Sequence, residues 1–173
     1  RSVCLSLWKV DDAATALLAL NASATVAGPS GTRTVSFDEY FIGPREDVLR
    51  ENVLQPNELL VEVQAPAAPP NQAWLKLKDR QVYDFALVSV AVAANIQGGV
   101  WQDGRIVLGG VAPVPWRASV VEQALAGKDV QASIKTATAL IRNEARPLSN
   151  NAFKVDLAIG LTERAVLQAM GAA

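Results

Sequence analysis

The run Phe85–Asn95, FALVSVAVAAN, constrains this chain more than any other stretch. Read as a strand, it places Ala86, Val88, Val90 and Val92 on one side and Phe85, Leu87, Ala91 and Ala93 on the other. Both faces are apolar, so the strand needs cover on both sides. Around it the sequence predicts two more strands, Trp74–Lys78 and Arg105–Ala112, with Gly98-Gly99 turning the second into the third. Pro113 and Pro115 end the sheet, because proline has no amide to donate. Three helices follow. Ser119 caps the first, through Val120, Val121, Ala124 and Leu125, and Gly127 stops it. Val130, Ile134, Ala137 and Ile141 mark one face of the second, which ends before Pro147. Asn150 or Asn151 opens the third, through Val155, Ile159, Val166 and Met170.

The earlier part reads as a separate unit. Asp11–Leu20 predicts a short helix with an aspartate N-cap and Ala13, Leu17 and Leu20 on one face. Ala24–Ala27 and Arg33–Phe37 form a hairpin through Gly28–Gly31. A helical turn follows at Asp38–Phe41, capped by Ser36 or Asp38, and Leu59–Val63 is a strand. The proline-rich stretch Ala65–Asn71 is a linker. The fold class is therefore α+β. A C-terminal three-stranded antiparallel sheet with a three-helix bundle is preceded by a partial helix-and-antiparallel-strand subdomain. The boundaries are residues 1–66, a linker at 67–72, and residues 73–173.

Composition excludes several kinds of chemistry. There is no histidine, which removes the commonest general base and neutral metal ligand. The single cysteine, Cys4, allows neither an internal disulfide nor a thiolate metal cage and reads as a small apolar residue. A net charge of −1 leaves no electrostatic footprint for nucleic acid. No apolar run reaches the 18 or so residues that span a bilayer, and RSVCLSLWKVDD is too quickly charged for a signal peptide. The chain opens at Arg1, as a fragment or processed form would. No catalytic residue and no metal site is expected from the chain itself; redox chemistry would be carried by a cofactor. Only 19% of residues are charged, which suits a protein that keeps apolar surface for a partner.

Individual candidates each have a plain structural reading. Asp11-Asp12 suits helix capping better than a carboxylate pair, since adjacent residues on a helix do not face each other. Lys76, Lys78 and Arg80 read as a solvated edge-strand face, or as cationic support for an electron-rich cofactor. Gly109-Gly110 is no phosphate loop and suits close approach of another segment. Trp8, Trp74, Trp101 and Trp116 suit core or interface packing. Tyr83 either closes a core edge or lies against a flat ring.

The run WLKLKDRQVYDFALVSVAVA…GGVWQDGRIVLGGVAPVPWRA, completed by Glu122, Leu125 and Gly127, resembles the FAD-binding (medium) subunit of the molybdenum hydroxylases. This is the xanthine, carbon monoxide and aldehyde dehydrogenase group. Three earlier pieces agree in order: the helix Asp11–Ala22, the GP.G.R motif within Gly28–Phe41, and the P.ELL strand Pro56–Pro66. The resemblance covers nearly the whole chain. It implies a subunit in which FAD takes electrons from molybdopterin through two [2Fe–2S] clusters on other subunits and passes them to an acceptor. The implied partners are a [2Fe–2S] small subunit and a molybdopterin large subunit, with no nucleic acid and no membrane. The complex would be cytoplasmic, with a periplasmic one as the alternative.

Residue by residue, Asp12 stands at the aspartate that helps hold FAD, and Leu60 at the strand leucine beside the flavin ring. Lys76 stands at the lysine near the isoalloxazine, where a cation favours the reduced, anionic flavin. Tyr83, in the Arg80–Phe85 loop that borders the ring, is a stacking candidate. The family's Ser-Asp is Asp11-Asp12 here. Its glycine-rich diphosphate-binding segments lie upstream of the matched region and are absent from this sequence. The expectation is FAD in the complete subunit and weak or no FAD binding by this chain. A non-catalytic binding or assembly module is the alternative.

Overall fold

The computed structural model describes residues 12–80, 82 and 84–171. Cys4, Trp8, Asp11 and Tyr83, for which the sequence carries expectations, lie outside the described residues. The first unit opens with α1 (Asp12–Ala19), which leaves through Asn21 at φ 56°. The hairpin follows as β1 (Ser23–Gly28) and β2 (Gly31–Ser36), and α2 (Phe37–Tyr40) comes next. Ser36 is the cap of α2, its Oγ accepting from Asp38 N at 3.2 Å. β3 (Leu59–Gln64) adds to the far side of β1, giving an antiparallel sheet of order β2-β1-β3.

The second unit is an antiparallel sheet of order β4-β5-β6-β7 covered by helices. Its strands are β4 (Asn71–Leu77), β5 (Val88–Gln97), β6 (Val100–Gly109) and β7 (Trp116–Arg117). The helices are α3 (Ser119–Leu125), α4 (Val130–Ala139), α5 (Ile141–Glu144) and α6 (Phe153–Ala169). The α+β class holds for both units.

Several boundaries differ from the sequence reading. β5 starts at Val88, because the β4 ladder ends at Leu77↔Val88 and Leu87 N closes it onto Leu77 O at 2.8 Å. Phe85 therefore falls in a loop and is exposed. β6 begins directly after the glycine turn rather than at Arg105. A bulge at Asn95/Ile96 and the absent side chain of Gly104, packed on Ala94, keep its register. The prolines do not finish the sheet; the chain returns after them as β7, a fourth strand. Ser119 is inside α3 rather than capping it, since Ala118 O takes the Val121 and Glu122 amides. The second helix breaks at Leu140 into α4 and α5, and the third starts at Phe153.

The demand for cover on both faces of β5 is met by two different parts of the chain. Val88, Val90, Val92 and Ala94 pack with Val121, Leu125, Ile134, Ala165 and Val166 of the helical layer. Ala91 and Ala93, with Val107 of β6, pack against Leu18 and Ala19 of α1 and against Val26, Phe37 and Tyr40. The two units thus share β5 as a common wall. Among the described residues no helix is long and apolar enough to cross a membrane.

Candidate cofactor site

Helix α1 is fixed at both ends on the second sheet. At its C-terminal end Arg105 of β6 donates to Leu18 O at 3.2 Å. The same guanidinium forms a two-pronged pair with Asp38 at 3.0 and 2.9 Å, binding both units to one cation. At the N-terminal end the Asp12 carboxylate forms an ion pair with Lys76 Nζ of β4, both groups being partly buried. A carboxylate in the first turn also complements the helix dipole.

Register determines what surrounds that pair. Trp74 is opposite Ala91 and Lys76 opposite Ser89, so both share the α1 face of the sheet, while Ala73 and Leu75 pack into the helical core. The Ser89 hydroxyl is fully buried in the same row and has no hydrogen-bond partner. Beside β4 this face is open: Trp74 retains 43% of its surface.

The four residues implicated in the sequence are distributed as follows. Asp12 and Lys76, 64 residues apart, are brought together. Leu60 is on β3 opposite Val26 and is 42% exposed, on a strand whose six residues are all exposed. Tyr83 lies outside the described residues. The expected basic ridge is not a single feature, because β4 ends at Leu77. Lys78 turns back to donate to Val82 O at 2.9 Å, and Arg80 pairs with Asp84 at 3.0 Å. That hydrogen bond holds the Asp84 carboxyl below its ordinary range and raises Arg80. Only Lys76 of the three is directed at α1.

Motif residues that the sequence reading left without roles form two structural knots. Arg33 of the GP.G.R motif grips Glu58 of the P.ELL motif at 2.9 and 2.8 Å and also donates to Val53 O. Gly28 leaves room for the Glu58 side chain, whose Cγ would be 3.1 Å from an added Cβ. The hydrogen bond from Arg33, helped by Gln55 N, pulls the Glu58 carboxyl from 4.5 to about 2. A lowered folded-state value stabilises the protein above the unfolded value, and the contribution disappears as pH falls from about 4.5 towards about 2. Glu58→Gln is expected to flatten the pH dependence of the melting temperature in that window; an unchanged acid limb would remove this assignment.

The second knot is Arg117 with Glu122, joined at 3.0 and 2.7 Å. Glu122 is buried and also accepts from Ile106 N at 2.8 Å. These pairs could have been suspected from the charges inside the motifs, but their partners are set by tertiary structure.

A cleft of about 560 Å³ opens elsewhere, on the helical side of the sheet. Leu108, Trp116 and Ala158 give it an apolar floor, and Arg45, Arg146 and Lys154 place cations around it. It contains none of Asp12, Leu60 or Lys76, so size alone does not identify the cofactor position. Among the described residues no cluster of His, Cys, Asp and Glu could hold a metal.

Residues 73–169 match the CO dehydrogenase flavoprotein C-terminal domain, and residues 6–68 match the FAD binding domain in molybdopterin dehydrogenase. The chain belongs to the flavoprotein subunits of the molybdenum hydroxylases, whose complete subunits carry FAD. Among its relatives is the aldehyde oxidoreductase FAD-binding subunit PaoB of Escherichia coli (strain K12). They are 36% identical over 151 residues, covering 85% of this chain and 44% of PaoB. The carbon monoxide dehydrogenase medium chain of Hydrogenophaga pseudoflava is 32% identical over 157 residues, covering 86% of this chain and 52% of that one. A solved structure of reconstituted CO dehydrogenase from Oligotropha carboxidovorans superposes with a TM-score of 0.81. Its sequence identity is 26%, covering 97% of this chain and 60% of that chain. The chain spans about half the length of the curated relatives it matches.

Proposed function

We infer that this chain supplies one wall of the FAD site of a molybdenum-hydroxylase flavoprotein subunit. In context, that subunit passes electrons from iron–sulfur clusters through FAD to an acceptor. The observation that carries the reading is the meeting of Asp12 and Lys76 across the two matched regions. Residues 1–66 would be part of the FAD-binding domain, 67–72 the linker and 73–173 the C-terminal domain. The partners would be a [2Fe–2S] small subunit and a molybdopterin large subunit, in a cytoplasmic or periplasmic complex.

The residues present fit FAD on one side. A mostly covered cation is held on a sheet face by a carboxylate, and an exposed apolar strand carries Leu60. FAD, when bound, supplies the electron-accepting and electron-donating chemistry that the side chains lack. Lys76 would place positive charge where negative charge develops on reduction. Asp12 orients that ammonium and limits how much of its charge is available. Leu60 and Tyr83 would bound the ring with apolar and aromatic surface and exclude water.

The test is complementation. Fusing the chain behind the first part of the Hydrogenophaga medium chain, the part it does not match, is expected to yield a yellow protein with flavin. Lys76→Met in that fusion should weaken flavin retention about 10-fold, the order of one lost charge-assisted contact. A well-folded fusion that remains colourless would remove the reading. The isolated chain is expected to bind FAD weakly or not at all. A second reading, a binding or assembly module, is favoured by the bare β3 strand. Stoichiometric flavin on the isolated chain would rule it out.

A further inference from the structure

Trp74 is the exposed tryptophan among the large apolar side chains that neither unit's packing absorbs. It belongs to neither buried cluster, although it lies mid-strand on β4 and its neighbours in the strand are tied down. Ala73 and Leu75 on either side pack into the helical core, and Lys76 is held by Asp12. The strand therefore presents the indole at a fixed position on the open part of the α1 face. Residues two apart on a strand point the same way and are separated by about 7 Å. That spacing is close to the reach of a fused three-ring heterocycle.

The surroundings suit a flat electron-poor ring. Across the strand from Trp74 and Lys76 are Ala91 and Ser89, both buried under the α1 layer, so a ring would reach Trp74 from the open β4 edge of the sheet. α1 packs over β5 and β6, and its first turn reaches β4 at Lys76 through Asp12. The cation and the exposed indole are thus neighbours on one surface strip. An electron-rich indole face stacks with an electron-poor aromatic system, and an ammonium beside it attracts the ring's polar, charge-accepting edge.

We propose that Trp74 is a flavin-contacting residue, stacking its indole on the isoalloxazine of the FAD whose polar edge Lys76 faces. This rests on the functional reading above and deepens it by naming a residue to which that reading assigns no role. Leu60 contributes a different, aliphatic surface from β3, so Trp74 is the aromatic member of the site among the described residues implicated here.

The experiment uses the fusion described above with ¹⁵N-labelled indoles, four of which come from this chain. Trp74→Phe assigns the Trp74 signal by deleting it. FMN, FAD and ADP are then titrated to millimolar concentration. The expected result is an upfield movement of the Trp74 indole signal with FMN and FAD and none with ADP. Bound-flavin emission should be quenched by the wild type and restored in Trp74→Ala, whose affinity should fall about 3–10-fold, as loss of one aromatic stack implies.

If flavin moves other signals but leaves Trp74 unmoved, the stacking assignment is overturned while the FAD reading stands. If ADP moves the Trp74 signal as FAD does, the residue contacts adenine and the assignment to isoalloxazine is overturned. If the fusion binds flavin but no indole signal of this chain moves, the assignment is likewise overturned. The FAD reading is decided separately by the colour of the fusion, so the two failures are told apart. Restored emission with unchanged chain stability separates stacking from a structural role.

Discussion

Glu122→Ala is expected to lower the unfolding free energy by about 2–4 kcal/mol, through a mechanism specific to its position. The carboxylate is buried and performs two tasks. It neutralises Arg117, which comes from β7, and it accepts the Ile106 amide of β6. β7 is only two residues long, so β6 lacks a strand partner beyond it. Ala118 N satisfies Ile106 O, and Glu122 satisfies Ile106 N; together they continue the ladder with a helix N-terminus instead of a strand. Removing the carboxylate leaves a buried amide without a partner, a penalty of about 1–3 kcal/mol, and unpairs the guanidinium. The Arg117 guanidinium is raised chiefly by its hydrogen bond to Glu122, consistent with a tight pair. Glu122→Gln should be milder, at about 1–2 kcal/mol, because its amide oxygen can still accept from Ile106. Urea unfolding with an unchanged slope measures both. An alanine variant within about 0.5 kcal/mol of the wild type would show that β6 does not need this cap.

Glu122 also shows what the sequence could reveal and what it could not. The strand pattern of β5, apolar on both faces, required two layers of cover, and the structure supplies them as the helical layer and α1. That inference worked because alternation along a strand is a local property. β7 escaped it because two residues after a proline-rich loop carry no periodicity. The ion pair of Asp12 with Lys76 was equally hidden. Local reasoning made Asp12 a cap and Lys76 either an edge charge or cationic support for an electron-rich cofactor, and the family resemblance put both beside a flavin. What joins them is the path of α1 across the sheet, held by Arg105 at its other end. The same path leaves Trp74 uncovered, whereas an isolated tryptophan in a strand reads as packed. Motif order was thus enough to identify the family, while the partner of each motif charge depended on contacts far away in sequence.

Gly110→Ala is expected to be the other strongly destabilising change, at about 2–4 kcal/mol, and its cause can be separated into two parts. The residue has φ 75°, a left-handed conformation that costs a non-glycine residue about 1–2 kcal/mol. A Cβ there would also be 2.8 Å from Ala86 O and 2.9 Å from Leu87 O, and backbone carbonyls cannot swing aside as a flexible side chain could. Gly98 provides the control. Its φ is 58°, and nothing lies within 4 Å of an added Cβ, so Gly98→Ala should show the conformational part alone. The excess in Gly110→Ala then measures the close approach of the Gly109-Gly110 corner to the segment entering β5. That segment follows the Arg80–Phe85 loop, whose contacts Lys78–Val82 and Arg80–Asp84 lie just before it. Lys154 Nζ donates to Gly110 O at 3.0 Å, fastening the corner to α6 as well. A forced shift at Gly110 should therefore be transmitted to the loop, and in the flavin-carrying fusion it should weaken cofactor retention although Gly110 is in neither the Asp12–Lys76 pair nor the Trp74 strip. Equal destabilisation by Gly98→Ala and Gly110→Ala would show that the corner has room to spare and that only its backbone conformation matters.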